Sequence, residues 1–586
     1  MTHPAVSARY RLTPLAASLS ALAMLSALSL GSASVAHASG AWWVGADVAK
    51  QTRTLRQNSP GLSAQTAAEQ RRQATQQLRR SVDNLNRVAG EAGAIAQAQA
   101  RQTAAWQKER NRPAQAGDSP DGLTQGGLWD KDANGQALPW IGVSDKRAVA
   151  SNAQGKTTVT IEQTQAKAIL DWDTFNIGRN TEVVFDQATY ANAAARSGAR
   201  TAQSEWAVLN RVVGASAKPS QIQGSIRADG SVMVVNQNGV IFTGSSQVNA
   251  RNLVAAAARI SNDQFLSRGI YGADANTASF TEALGNVSVQ AGALIQTHEP
   301  ASVTQGGGYV LLMGQEVRND GDIRTRKGQT QLAAGDSFVI RKGLVTNSTD
   351  GGTTYSTTRG NEIAPKADAN LDLARIDPAI QRGLVQNTGL IQAREGDITL
   401  AGHDVRQNGV ALTTTSVNAR GTIHLLNSAG DAQGQVTLGK DSITAILLED
   451  DGQSAFDGQR NALIEASATL DQQRRGISGT FDNLSKQSDR RDQSRIEIVS
   501  GQNVDFTDGS LTLATGGQVA VSAEGSATIH AGAAVDVSGA VGVQVAMASN
   551  NVQINIQGNE QRDASGNRES GNLNNTNVWV DRRYLV

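Results

Sequence analysis

The chain has 586 residues, with 53 Lys plus Arg against 53 Asp plus Glu and no Cys. The charge balance gives no basic field to draw in nucleic acid, and the missing Cys excludes disulfides, thiolate metal sites and Cys nucleophiles. Gly is abundant at 59, Pro scarce at 10, and aromatic residues make up only 4%. This suits many thin layers of Val, Ile, Leu and Ala divided by turns better than one wide core.

The N-terminus reads as an export signal. Arg9 and Arg11 give a basic start, Leu15 to Leu30 an apolar run, and Ala36-His37-Ala38 a small-x-small cleavage pattern, so cleavage is expected after Ala38. The apolar run is short for a bilayer span of about 20 residues, and no other segment is apolar enough for a permanent transmembrane anchor.

Residues 39–140 form a Gln/Ala/Arg-rich extension and linker. Leu78, Val82, Leu85, Ala89, Ala92, Ala96 and Gln99 fall at spacings of four and three. A weak helical stripe results, read as a solvated helix or semi-disordered spacer. Pro113, Pro120 and the run Asp121 to Gly127 end it.

Beyond Thr157 the period becomes two, in TTVTIEQ, SVMVV, NVSVQ, GYVLLM, DITLAG and TIHLL. Two stretches align as repeats, Val317 to Gly335 and Val385 to Gly402. Asn319-Asp320-Gly321 matches Asn387-Thr388-Gly389, Ile323 matches Ile391, and Leu332 matches Leu400. A unit of roughly 20 residues that cannot bury its own apolar face signals a solenoid. The fold expected is all-β, a right-handed parallel β-helix with a helical or disordered N-terminal extension. Polar insertions are expected near 348–382 and 448–495, the second with a helical-looking Asn461 to Arg475. Asp229-Gly230 and Asn238-Gly239 are expected to supply positive backbone angles between strands.

Three segments carry a resemblance: LDWDTFNIGRNTEVVFDQ (Leu170 to Gln187), LNRVVG (Leu209 to Gly214) and SQIQGSIRADGSVMVVNQNGVIFTGSSQVNARNLVAAA (Ser220 to Ala257). In this order they resemble the haemagglutinin-type secretion domain of two-partner secretion exoproteins, the filamentous haemagglutinin-like family. The resemblance places that domain at 141–300 and β-helical repeats at 301–586. It implies a secreted or surface-exposed adhesin that crosses the periplasm and is exported by a dedicated outer-membrane transporter. A host or bacterial surface receptor or glycan would then be a further partner. Candidate recognition residues are Asn236, Gln237, Asn238 and Gly239, with Asn210 and Arg211. In the wider family Pro stands where this chain has Gln237, and Asn-Gln-Asn-Gly resembles the version in very large haemagglutinin-like proteins. Each candidate also has a plain structural role open to it: Asn236 and Asn238 in ladders or turns, Asn210-Arg211 at a coil corner, and Trp172, Phe175 and Asn176 in the first coils.

Catalysis has little support. His298, His403, His424 and His530 are isolated from one another, no G-x-S-x-G elbow occurs, and neither metal nor cofactor is expected. A carbohydrate-active β-helix remains the enzymatic alternative, with Asp320 and Asp322 or Asp450 and Asp451 as paired carboxylates, although both pairs read as turn residues. The ending VWVDRRYLV reads as an unpaired strand, which would suit a fragment of a longer exoprotein.

Overall fold

A computed structural model describes residue 72, residues 93–539 with gaps at 114, 193–196, 216–217, 275, 300–306, 342–343, 347–352, 356–360, 417–420, 429 and 450–493, and strands 551–556 and 576–581. The signal peptide with Ala36 and Ala38, the stripe members Leu78, Val82, Leu85, Ala89 and Ala92, the pair Asp450 and Asp451, and the helix expected at 461–475 lie outside these residues. The chain divides into two units, Met1–Glu91 with Ala540–Val543 and Ala92–Gly539 with Gln544–Val586. The second holds the coils.

Among the described residues three long sheets run the length of the coils, with 11, 9 and 12 strands. The chain visits them in rotation. Ser231–Val235 lies on the first face, Gly239–Phe242 on the second and Gln247–Ala250 on the third, before Asn252–Ala256 returns to the first. Apart from Trp140–Ile141 and Val143–Ala153, which pair antiparallel at the start of the first and third faces, each strand pairs in parallel with its counterpart one coil on, as Val232 does with Leu253 and Val240 with Val287. The fold is therefore a parallel β-helix. Its coil length shows in side-chain pairs that stack directly, 21 residues apart for Ser231 and Asn252 and 20 for Asn387 and Gln407.

The aligned repeats superimpose residue for residue. Asn319 pairs with Asn387, Ile323 with Ile391 and Leu332 with Leu400. Inward positions form one apolar column that includes Val159, Val183, Ile226, Val248, Ile295, Ile323, Ile391 and Ile446. Burying each Val, Leu or Ile side chain contributes about 1.5–3 kcal/mol, so many thin layers add up where no wide core exists.

The unbroken apolar runs have a separate cause. On the first face, outward Met233, Val235, Val254, Leu311 and Met313 are buried as well, beneath Phe265, Phe280, Phe338, Ile340 and Ile363. Phe265 belongs to helix Asn262–Arg268, and Phe338 and Ile363 to an antiparallel hairpin of Ser337–Arg341 with Glu362–Lys366. A strand covered on both sides loses the alternation of a half-buried one.

Three expectations are corrected. The Asp229-Gly230 turn has no positive φ. Gly230 is there because a Cβ would lie 2.2 Å from the Trp206 carbonyl oxygen, and the strands flanking it belong to different faces rather than to a hairpin. At the C-terminus, Thr576–Asp581 is not an unpaired strand: it pairs antiparallel with Asn551–Ile556. Residues 93–111 are helical but docked along one side rather than solvated all round. Of the expected stripe Ala96 and Gln99 are described: Ala96 is exposed and Gln99 half-buried, while Ala98 beside it is buried. The helix's anchors include polar side chains that bond to turn backbone, which a search for apolar periodicity misses.

Buried amides tie the second-to-third corners together. Asn319 Nδ2 donates to Asn387 Oδ1 at 2.8 Å, and Asn387 Nδ2 to Gln407 Oε1 at 2.7 Å, with all three side chains excluded from solvent. Replacing Asn387 with Ala strands a donor and an acceptor in the interior. The expected loss is about 2–4 kcal/mol in a urea titration, against less than about 0.5 kcal/mol for exposed Asn370→Ala.

Candidate recognition site

The Asn236–Gly239 turn is a corner between the first and second faces. The Asn236 carbonyl accepts from Gly239 N at 2.8 Å and its Oδ1 accepts from Asn238 N at 3.0 Å, while its Nδ2 donates to the Lys218 carbonyl and to Ser220 Oγ. Asn236 is thus a buried bracket holding two successive corners. Gly239 sits at φ 126°, where a side chain would be strained and its Cβ would lie 2.8 Å from the Asn286 carbonyl oxygen. Gln237 and Asn238 are half-buried at the rim. Gln237 Nε2 donates to the Glu282 carbonyl at 2.9 Å.

Asn210 and Arg211 lie one coil earlier, in register with Val234 and Val235. Their side chains point to opposite sides of the sheet. Asn210 is fully buried. It accepts from Trp172 Nε1 at 3.2 Å and donates to the Met233 carbonyl at 3.2 Å. Trp172 in turn packs edge-on against Phe175 at 5.3 Å and tilted against Trp140 at 4.7 Å, filling the first coil. Asn176 ties the same coil to the linker before it, donating to the Gly126 carbonyl and accepting from Gln221 N. Arg211 instead forks onto Asp171, with Nε 2.9 Å from Oδ1 and Nη2 3.0 Å from Oδ2, and donates to the Ile260 carbonyl. Burial pushes the Asp171 carboxyl above its usual range, and Arg211 pulls it back.

These segments converge. A cleft of about 470 Å³ is lined by Arg211, Val213, Gln237, Asn238, Arg259 and Arg375, among others. Glu282 faces it across ion pairs to Arg259 at 3.1 Å and Arg375 at 3.8 Å. Its own backbone is left-handed at φ 49°, a conformation that a non-glycine residue holds only where its surroundings enforce it. Asn210, Asn236 and Gly239 build the wall, whereas Arg211, Gln237 and Asn238 reach the cleft. Arg259, Glu282 and Arg375 escaped the sequence reading. Arg375 comes from the long insertion, and no motif in one sequence announces it.

Of the two carboxylate pairs, the described one, Asp320 and Asp322, does not form an acid/base dyad. Asp322 is buried against Arg324 at 2.5 Å, while Asp320 meets the Thr388 hydroxyl. His403 faces Asp431 and His424 faces Glu497. Among the described residues no group of three or more His, Cys, Asp or Glu is arranged to hold a metal ion.

With this geometry in place, comparison with known proteins decides the family. Residues 142–446, just over half of the chain, match the model of the TPS secretion domain. This chain belongs to the two-partner secretion family. Its secretion domain is that of exoproteins exported by two-partner systems, through the periplasm to the cell surface. Two curated relatives are heme/hemopexin-binding proteins of Haemophilus influenzae. One, from strain Rd, is 31% identical over 245 residues, 41% of this chain and 21% of that protein. The other is 40% identical over 104 residues, 17% of this chain and 9% of that protein. The matched part thus spans about a fifth or less of these relatives. Solved structures that are similar include the HMW1 secretion domain from Haemophilus influenzae, with TM-score 0.34, 16% identity and coverage of 68% of this chain and 98% of that one. A filamentous hemagglutinin secretion domain aligns with TM-score 0.30 and 11% identity over the same shares.

The Arg211–Asp171 pair anchors the secretion domain's cleft and yields a signed prediction. Arg211→Ala leaves a mostly buried carboxylate without its counter-ion, costing roughly 2–4 kcal/mol at neutral pH. Without Arg211 the folded-state pKa of Asp171 rises further above its unfolded value. Stability from such a group is full below the unfolded pKa and lost as pH rises through the folded one. The deficit against wild type should therefore shrink from pH 7 towards pH 4 in paired denaturation curves. A deficit independent of pH would show that packing rather than charge carries the effect.

Proposed function

We propose that this chain is a secreted or surface-exposed haemagglutinin-like adhesin, and that the periplasmic modules of its partner transporter read the corner cleft. The carrying observation is that two motif segments from adjacent coils, Arg211 and Gln237-Asn238, meet on one cleft at one corner of the secretion domain. An ordered ridge of half-exposed amide and guanidinium groups over apolar Val213 offers both hydrogen bonds and contact area to a partner. The signal peptide would be removed after Ala38, so that the mature chain starts at Ser39. After export the coils, which bury their own backbone groups face by face, form a long surface for a receptor or glycan.

The relatives' names support a second reading of the effector role, heme or hemopexin binding in place of adhesion. The two separate by experiment. The secreted protein either retains hemopexin or heme on a column or adheres to cells and glycans without doing so.

Export itself is tested by secretion into the medium with and without the partner transporter. Wild type should appear only with the transporter, with Ser39 at its N-terminus. Gln237→Ala/Arg375→Ala alters only the rim and should cut export at least about tenfold with no change in thermal midpoint. Asn236→Ala/Asn238→Ala should cut export and lower the midpoint as well. Normal export of the rim variant would remove the cleft from recognition, and transporter-independent export of wild type would contradict the whole reading.

A further inference from the structure

The extension before the secretion domain does more than separate it from the signal peptide. Helix 93–111 lies along the edge between the second and third faces and runs opposite to the direction in which the coils advance. Near its N-terminus, Ala98 is buried in a cluster with Leu390, Val410, Leu412, Ala445 and Leu513, and Ile95 packs beside it. One turn on, Gln102 bonds to two corners at once, with Nε2 donating to the Asp320 carbonyl and Oε1 accepting from Gly292 N, both at 2.7 Å. Beyond it, Arg110 donates to the Arg179 carbonyl at 3.0 Å and Arg179 donates back to the Arg112 carbonyl at 2.7 Å. Asp118 receives both Arg112 and Arg179, and Asp121 closes the series on Asn180 and Thr181. At about 1.5 Å per residue such a helix spans roughly 28 Å, or about six coils at 4.8 Å each.

The third face is built for this cover. Ile391, Ala393, Ala411 and Ile446 point into the column, yet outward Leu390, Val410, Leu412, Ala445 and Leu513 are apolar too. Alternating strands would carry polar residues there if that side met water. They form one apolar cluster with Ala98, and Ile95 packs against it.

The order of events follows from chain separation. Gln102 joins residues 190 and 218 positions away, and the apolar seat of Ala98 includes residues on both sides of the insertion that follows Leu448. A lone helix of this length is marginal in water and has nothing to dock on until those coils exist. Solenoid coils otherwise stabilise only their immediate neighbours, whereas the helix touches coils that do not touch each other.

We infer that residues 93–121 are a strap that closes on the third face only after the coils through Leu513 have folded, and that its closure latches the exported solenoid. This rests on the two-partner export reading. It adds that a segment ahead of every coil in the chain is the last to find its place, so strap and coils must stand on the same side of the outer membrane before the latch can close.

The absence of native Cys makes the test direct, because Ala98→Cys introduces a single thiol. Its maleimide labelling is followed in released protein, and in chains arrested during export by a fast-folding domain fused after residue 446. Released protein should label at least about 100-fold more slowly than urea-unfolded protein, and arrested chains at nearly the unfolded rate. Fast labelling of released protein, or slow labelling of arrested chains, would overturn the inference. A second variant, Ala98→Arg, should leave by the transporter as wild type does but show at least about tenfold faster proteolysis within 384–448. Loss of its export while wild type remains transporter-dependent would make the strap an export element and sink the latch. If wild type ignores the transporter, the export reading fails alone, and labelling of the Ala98→Cys variant after refolding from urea still decides whether the strap docks.

Discussion

Backbone hydrogen bonds directed along the solenoid axis are the interaction on which everything else stands. They form only if each coil brings its three strands back over the same three faces, in register. A slip of one residue would turn every inward Val, Ile or Leu outward and every corner amide inward. Register is therefore held at the corners, where backbone groups turn away from the ladder and need other partners. Asn319, Asn387 and Gln407 meet that need at one corner. Gln163 and Gln187 do the same at another, with Gln187 Nε2 donating to Gln163 Oε1 at 2.9 Å and its own Oε1 accepting from Gly230 N. Asn236 plays this part at the third.

This constraint explains where function can be carried. Strands have no freedom to vary, so additions leave from corners and return to them, as loops on a rigid frame generally do. The helix at Asn262–Arg268, the hairpin beginning at Ser337 and the segment bearing Arg375 all leave between the first and second faces. They cover the outward side of the first face and supply one rim of the cleft. The same corner holds the turn resembling the family's Asn-x-Asn-Gly motif. Asn236 serves the stack and Gln237 faces the cleft, so a structural role and the proposed recognition role fall to adjacent residues.

Much of this was legible in the sequence because a solenoid repeats its logic. The alignment of Asn319 with Asn387 is a spatial neighbour relation, and the period of two survives wherever one side of a strand meets solvent. What escaped has physical causes. Asp229-Gly230 carries the signature of a tight turn, but at a coil corner Gly answers close backbone approach rather than a positive φ. The strap is anchored in part by Gln102 on backbone groups 190 and 218 residues away, and local composition holds no record of them. Arg375 reaches the cleft only through the path of its insertion.

The central claim is that the Asn236–Gly239 turn is an integral corner of one continuous hydrogen-bonded stack. Amide hydrogen exchange on the full secreted chain tests it most directly. The account predicts that Gly239 and the flanking Ser231–Val235 and Gly239–Phe242 strands exchange together, at the slow rate of the inner coils. The coil holding Val521, Ile529 and Val535, which are exposed, should exchange fastest among the stacked strands. Rapid exchange at Gly239 between protected strands would contradict the claim and leave the turn a loop the coils carry but do not hold.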